Sequence, residues 1–146
     1  MGKLDDSLTI IGDSDGLIAL LNNQDAHAPK ALRHIQQLST RNATIIYPIT
    51  TLIETTTTLQ RRLKKPELAQ QLVRLFFEQA LTIEPVDETI LKSALTFFNP
   101  KGSKKNTLFD AIVAAVAQKY HADAIFSFDT WYHHQGFSLL GDVFTN

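Results

Sequence analysis

The sequence predicts an α/β fold built on a mostly parallel sheet of about five strands. Three observations carry this. Short apolar, β-branched runs recur along the chain, each closed by a turn residue. The stretches between them hold apolar residues at helical spacing. Strands alternating with helices in this order give parallel strands joined by right-handed crossovers.

Taken in order, Leu8-Thr9-Ile10-Ile11 is a buried strand that ends at Gly12-Asp13. Ser14 to Leu21 follows as a short helix capped by Asp13 or Ser14. Ala28 to Leu38 is a second helix, with Ala31, Leu32, Ile35 and Leu38 on one face. Thr44-Ile45-Ile46-Tyr47 is the next strand, closed by Pro48. Thr50 to Leu63 carries two opposed signals. Thr55 to Thr58 favours strand by propensity, whereas Leu52, Leu59 and Leu63 keep a helical register, and we read helix. Pro66 opens a helix that runs to about Gln79. Ala80 to Ile83 is a third strand, and Asp87 caps a helix that reaches about Phe98. Asn99 to Asn106 is a polar loop with Pro100 and Gly102. Thr107 to His121 is an apolar helix, and Ala124 to Ser127 a fourth strand. Asp129 then precedes a short helical turn, and Phe137 to Leu140 reads as an edge strand.

The 146 residues suit one domain, read as residues 1–146. A composition 44% hydrophobic and 20% charged is that of an ordinary globular protein. The net charge of −1 gives no global attraction for nucleic acid, so any such binding needs local patches. The chain has no cysteine, which excludes disulfides and thiolate metal sites and fits a reducing cytoplasm. No apolar run is long enough to span a bilayer. Met1 to Ser7 is polar and acidic, unlike a signal peptide.

Asp110 raises the functional question. It lies in Leu108-Phe109-Asp110-Ala111-Ile112-Val113-Ala114-Ala115-Val116-Ala117, a run otherwise apolar throughout. A helix apolar all round is buried, and a buried carboxylate is costly unless paired, hydrogen-bonded or bound to a metal. Three more acids occupy comparable positions: Asp13, Glu54 and Asp129. Each has a structural alternative. Asp13 and Asp129 suit N-caps. Glu54 follows Thr51, and Asp110 follows Thr107, at capping-box spacing. Caps need not converge, yet two of these acids lie just past strand ends and two in first turns of helices flanking the same edge. Ligands of open α/β sheets bind at that edge, where strand order reverses. Carboxylates packed together repel unless a cation neutralises them. Mg²⁺ is held by few carboxylates and keeps several waters. The absence of cysteine and of two His at the spacing of H-E-x-x-H argues against zinc.

The ordered motifs resemble the PIN domain, a family of Mg²⁺- or Mn²⁺-dependent ribonucleases that includes VapC-type toxins of toxin–antitoxin pairs. Ile10 to Leu20 is similar to the family's opening strand, Asp-Ser pair and apolar helix. Ile49-Thr50-Thr51-Leu52-Ile53-Glu54 is similar to its second motif, Leu108 to Ala117 to its third, and Ile125 to Tyr132 to its last. The resemblance implies a three-layer α/β/α fold with a central parallel sheet. It implies that Asp13, Glu54, Asp110 and Asp129 are the catalytic, metal-binding acids, with Ser14, Asp15 and Ser127 in support. It also implies Mg²⁺ (or Mn²⁺) as cofactor, RNA as substrate, a homodimer, and, for a toxin, a cognate antitoxin protein. Two positions depart from the family. Asp15 stands where a small polar residue is usual and adds an acid to the rim. Trp131 stands where a second acid often follows Asp129.

Two rival readings remain. Asp13-Ser14-Asp15-Gly16 also resembles the opening of haloacid-dehalogenase-like phosphatases, with Asp13 as nucleophile and Asp15 as general acid. Those enzymes need a late acidic pair, for which Gly141-Asp142 is the single candidate. The other rival is a non-catalytic domain that binds RNA or protein. For RNA contact the sequence offers Lys101-Gly102-Ser103-Lys104-Lys105 beside Asp110, with Lys104 and Lys105 foremost. Arg61-Arg62-Leu63-Lys64-Lys65 reads as solvated surface. Trp131, Tyr132, His133 and His134 suit either base stacking or a packed turn.

Overall fold

The computed structural model describes residues 7–144. Met1 to Asp6, most of the polar stretch set against a signal peptide above, lie outside the described residues.

Four strands form one parallel sheet: β1 (Leu8–Gly12), β2 (Ala43–Pro48), β3 (Thr82–Glu84) and β4 (Ala124–Phe126). Their order is β3-β2-β1-β4. The helices among the described residues are α1 (Ser14–Leu21), α2 (Ala28–Ser39), α3 (Ile49–Thr57), α4 (Pro66–Phe77), α5 (Glu88–Ala94), α6 (Leu108–Lys119), α7 (Trp131–His134) and α8 (Leu140–Val143). Side chains alternate across a strand, and the register aligns Ile11 with Ile46 and Ile125. These three pack against α5 and α6 through Ile90, Ala94, Ile112 and Val116. Ile10, Ala124 and Phe126 face the other way, onto Ala19, Ala31, Leu38 and Leu140. Tyr47 meets Leu17, Ile18, Leu52 and Leu72 in a third cluster. The result is a three-layer α/β/α sandwich. Each fully buried Ile or Leu contributes roughly 1.5–3 kcal/mol.

One expected strand is missing. Phe137 to Leu140 makes a single parallel bridge, Ile125 with Leu139, so the sheet has four strands rather than about five. The chain turns because Asp142 Oδ2 accepts the Leu139 N–H at 2.7 Å and starts α8 there. The threonine run, by contrast, is helical as its leucine register requires. Leu52, Thr55 and Leu59 are buried on one side, and Thr56 Oγ1 donates to Leu52 O at 2.8 Å. The helix continues as a π-helical turn over Thr58–Arg62 and ends at Lys64, whose φ is 55°. The apolar α6 is buried from Asp110 to Ala117. Among the described residues no helix is long and apolar enough to cross a membrane.

Candidate active site

Strand order reverses at β1. The chain leaves β1 to build β2 and β3 on one side, then returns to place β4 on the other. The crevice beyond the carboxyl ends of β1 and β4 is therefore the expected ligand site of such a sheet. The strands that Asp13 and Asp129 follow are neighbours, as convergence of those acids requires.

Two glycines let the backbone close up here. A Cβ on Gly16 would stand 2.5 Å from Phe126 O, and one on Gly12 would stand 2.1 Å from the Tyr47 ring. The first turn of α1 is thus pressed onto the end of β4. Asp13 N–H donates to Phe126 O at 3.2 Å. Its carboxylate caps α1 by accepting from Ser14 N at 2.7 Å. The other oxygen accepts from the Tyr132 hydroxyl at 2.6 Å, inside the protein.

Asp110 sits in the first turn of α6 and is buried. Its Oδ2 accepts from Thr107 N at 2.9 Å, completing the capping box with Thr107. The structural alternative for Asp110 is thus satisfied, but by one oxygen. Asp129 accepts from Trp131 N at 2.9 Å through Oδ1 and from Asn106 Nδ2 at 2.9 Å through Oδ2. Glu54 differs from expectation. The helix α3 starts at Ile49, so Glu54 lies in its second turn and Thr51 is no cap. The Thr51 hydroxyl instead donates to Gly12 O at 3.1 Å, tying α3 to the end of β1. Burial raises the Glu54 pKa and the Ser14 hydroxyl beside it works against that rise, while Glu54 Oε1 is buried without a hydrogen-bond partner.

Asp15 is a latch more than a rim acid. Its Oδ2 accepts from the Ser127 hydroxyl at 3.0 Å and from Phe128 N at 2.8 Å, and its Oδ1 accepts from Gly16 N at 2.8 Å. Ser127 Oγ in turn accepts from Asp129 N at 3.0 Å. Asp15 therefore fixes the loop that carries Asp129. A general acid for a phosphatase would need an oxygen open to substrate, and both oxygens of Asp15 are engaged. Asp142, the late acid of that rival, is held by His133 at 2.7 Å and by Leu139 N.

The acids perturb one another's titration. Burial raises the pKa of Asp13 well above its ordinary value, and the charges of Asp15 and Asp110 add to this against the pull of Tyr132 and Ser14. Burial also raises Asp15, opposed by the donors Phe128, Ser127 and Gly16. Glu54 is raised by burial, and Asp15 adds to it. Asp110 is pushed to about 6 by burial first, then by the charges of Glu54, Asp129 and Asp15, against the Thr107 N–H. Among the described residues no three His, Asp or Glu side chains stand as a ready-made ligand set. Asp13 and Asp129 turn both oxygens towards N–H and O–H donors. The donor chemistry nevertheless fits a hard divalent cation. It is all oxygen, its carboxylates are desolvated and mutually repelling, and Glu54 Oε1 is buried with no donor.

Lys104 and Lys105 are exposed in the loop that ends at Asn106, the residue that holds Asp129. No local sequence signal marks the roles of Asn106, Thr51 or Tyr132. A loop Asn has many uses, and Tyr132 read as one of four aromatic or imidazole candidates for stacking. The structure buries Tyr132 completely and removes it from that set.

The profile of the PIN domain family matches residues 10–137. Among solved structures the chain is similar to Mycobacterium tuberculosis VapC20, a sarcin-ricin loop cleaving toxin. Identity is 22%, with 88% of this chain and 95% of that chain covered and a TM-score of 0.74. It is also similar to VapBC2 from Rickettsia felis, bound to a DNA fragment from their promoter. There the identity is 16%, coverage is 90% of this chain and 97% of that one, and the TM-score is 0.64. Comparison with curated protein sequences finds no match.

Proposed function

This chain belongs to the PIN domain family, and from that premise we propose that it is a divalent-metal-dependent ribonuclease of the VapC type. One observation carries the reading: where strand order reverses, two carboxylates are buried, Asp13 and Asp110, and burial first, then the charges of Glu54, Asp129 and Asp15, pushes Asp110 to about 6. A fold rarely assembles such a cluster unless a cation and a substrate use it.

In this reading Asp13, Glu54, Asp110 and Asp129 hold Mg²⁺ or Mn²⁺, directly or through water. The ion would supply the Lewis acidity that phosphodiester hydrolysis requires. The chain's own residues do the positioning. Tyr132 and Ser14 N–H fix the two oxygens of Asp13. Asn106 and Trp131 N–H fix those of Asp129. Asp15, through Ser127, sets the backbone that presents Asp129. Thr107 N–H restrains one oxygen of Asp110 and leaves the other for the site. Such supporting bonds set ligand orientation and are commonly worth about 10–100-fold in affinity or activity. Lys104 and Lys105 contact the RNA backbone beside Asp110.

The fold neighbours support a toxin role, which brings a cognate antitoxin as partner and the cytoplasm as location. A homodimer is supported by an exposed apolar stripe. Val73, Phe76 and Phe77 lie at helical spacing on α4, exposed by 50%, 41% and 84%, and Ile53 on the adjoining α3 is exposed by 54%. A patch of this kind on a soluble domain marks a partner surface, and we read the partner as a second copy.

The test is cleavage of single-stranded RNA by the wild type and by Glu54→Gln, with Mg²⁺, with Mn²⁺ and with EDTA, alongside a phosphomonoester. Metal-dependent RNA cleavage lost in the variant, with the circular dichroism unchanged, is the expected result. Phosphomonoester turnover without RNA cleavage would move the assignment to the phosphatase rival.

A further inference from the structure

The helix α2 carries Lys30 and Arg33 and no acid over its twelve residues, and Arg41 follows it. In a chain of net charge −1 this is a local concentration of positive charge. All three side chains are exposed. Between α2, the loop after β4 and the start of α8 lies a cleft of about 480 Å³, lined among others by Lys30, Arg33, His34, Ser127, Phe128 and Phe144. A second cleft of about 480 Å³ continues it past Gln37 to Arg41 and shares Arg33 and Phe144 with the first.

The groove starts inside the machinery already described. Ser127 lines it and also accepts the N–H of Asp129. Phe128, the next residue, presents a ring on which His27 stacks at 4.3 Å and 8° between planes. The His34 ring stands 6.2 Å from Phe128 and 5.8 Å from Phe144, and its Nδ1 is buried without a hydrogen-bond partner. The acid in the lining, Asp142, is engaged by His133 and by Leu139 N–H. Aromatic faces beside a file of cations form the general pattern of a single-strand groove, in which bases stack and phosphates track the charges.

We propose that the α2 groove, from Phe128 past Lys30 and Arg33 to Arg41, binds the single-stranded RNA that leads away from the acidic centre. The inference rests on the ribonuclease reading and adds to it a second contact surface. Lys104 and Lys105 adjoin the site through Asn106, which holds Asp129, and the α2 groove adjoins it through Ser127. A strand held at both surfaces would keep a phosphate near the acids. An acidic protein segment would meet the same cations, but stacked rings beside a file of cations favour bases and phosphates over carboxylates alone.

The experiment compares wild type, Lys30→Gln/Arg33→Gln and the control Arg74→Gln/Lys92→Gln, which removes the same charge from exposed positions on α4 and α5. Binding of a fluorescein-labelled single-stranded RNA is followed by anisotropy across a salt titration in EDTA, which suppresses turnover. Each lost phosphate contact flattens the slope of log K against log salt by about 0.7. The groove variant should lose about 1.4 from the slope. With affinities equal at 1 M salt, that corresponds to about 25-fold weaker binding at 0.1 M. The control should track the wild type. If the wild type binds and cleaves RNA and the groove variant keeps its affinity and slope, the groove proposal falls and the ribonuclease reading stands. If the wild type neither binds nor cleaves RNA, both fall. If the variant loses affinity for a polyglutamate peptide and keeps it for RNA, the groove belongs to an acidic partner and the proposal is overturned.

Discussion

Replacing Asp110 by Asn should stabilise the cation-free protein at neutral pH, although it removes a side chain from the proposed centre. Asp110 is buried among Glu54, Asp129 and Asp15, and its pKa rises from the ordinary 3.8 to about 6. A raised folded-state pKa means that folding favours the protonated acid. The stability tied to this group is therefore full below 3.8 and is lost as pH rises through about 6. The difference corresponds to up to about 3 kcal/mol at pH 7.5. Asn cannot ionise, and its amide oxygen can still accept the Thr107 N–H that closes the capping box. Asp110→Asn should thus match the wild type near pH 4 and exceed it by up to about 3 kcal/mol at pH 7.5. For a domain of this size that is up to about 10 °C in Tm. Differential scanning calorimetry in EDTA across this pH range reads the effect. Added Mn²⁺ should reverse the order, because a cation stabilises the protein that binds it. A variant less stable than wild type at pH 7.5 in EDTA would show that the Asp110 charge is well paired in the fold, and would refute the repelling-cluster argument.

Other substitutions separate the roles of the supporting residues. Asn106→Ala frees Asp129 Oδ2 and should lower RNA cleavage by about 10–100-fold, with little change in Tm. Tyr132→Phe keeps the buried ring but removes the donor that lowers the Asp13 pKa. The acid limb of the cleavage pH profile should move to higher pH, and a superimposable profile would remove Tyr132 from the machinery. Gly16→Ala drives a Cβ towards Phe126 O and should cost about 1–3 kcal/mol by chemical denaturation. Phe77→Glu puts a charge in the exposed α4 stripe and should shift the protein to monomer in light scattering. A mass unchanged from wild type would move the dimer elsewhere.

The placement of Asp13 and Asp129 was legible because both follow strand ends. Gly12-Asp13 and Ser127-Phe128-Asp129 each close an apolar run, and a carboxylate at such a point falls at the carboxyl edge of a parallel sheet. Asp110 was legible for another reason: a lone acid in an apolar helix needs compensation. Glu54 lies on the expected helix but one turn further in than its spacing from Thr51 implies. The helix begins at Ile49, directly after Pro48, and Thr51 spends its hydroxyl on Gly12 O. That bond joins residues far apart in sequence, and no local spacing signals it. The same limit hid Asn106 and the latch from Asp15 to Ser127. At Phe137 to Leu140 the apolar run suggested a strand, but Asp142 caps a helical turn at Leu139 after one bridge. The basic groove on α2 has no local signal, because Lys30 and Arg33 are only two cations on a helix. Only the packing of Phe128 and Phe144 beside them makes a groove.

The most direct test of the account is a Mn²⁺ titration followed by electron paramagnetic resonance, for the wild type and for Asp13→Asn/Asp110→Asn, with circular dichroism to confirm folding. Saturable binding by the wild type that is lost in the folded double variant is the predicted result. Equal binding by both proteins, or none by the wild type, would contradict the claim that these four carboxylates form a cation site.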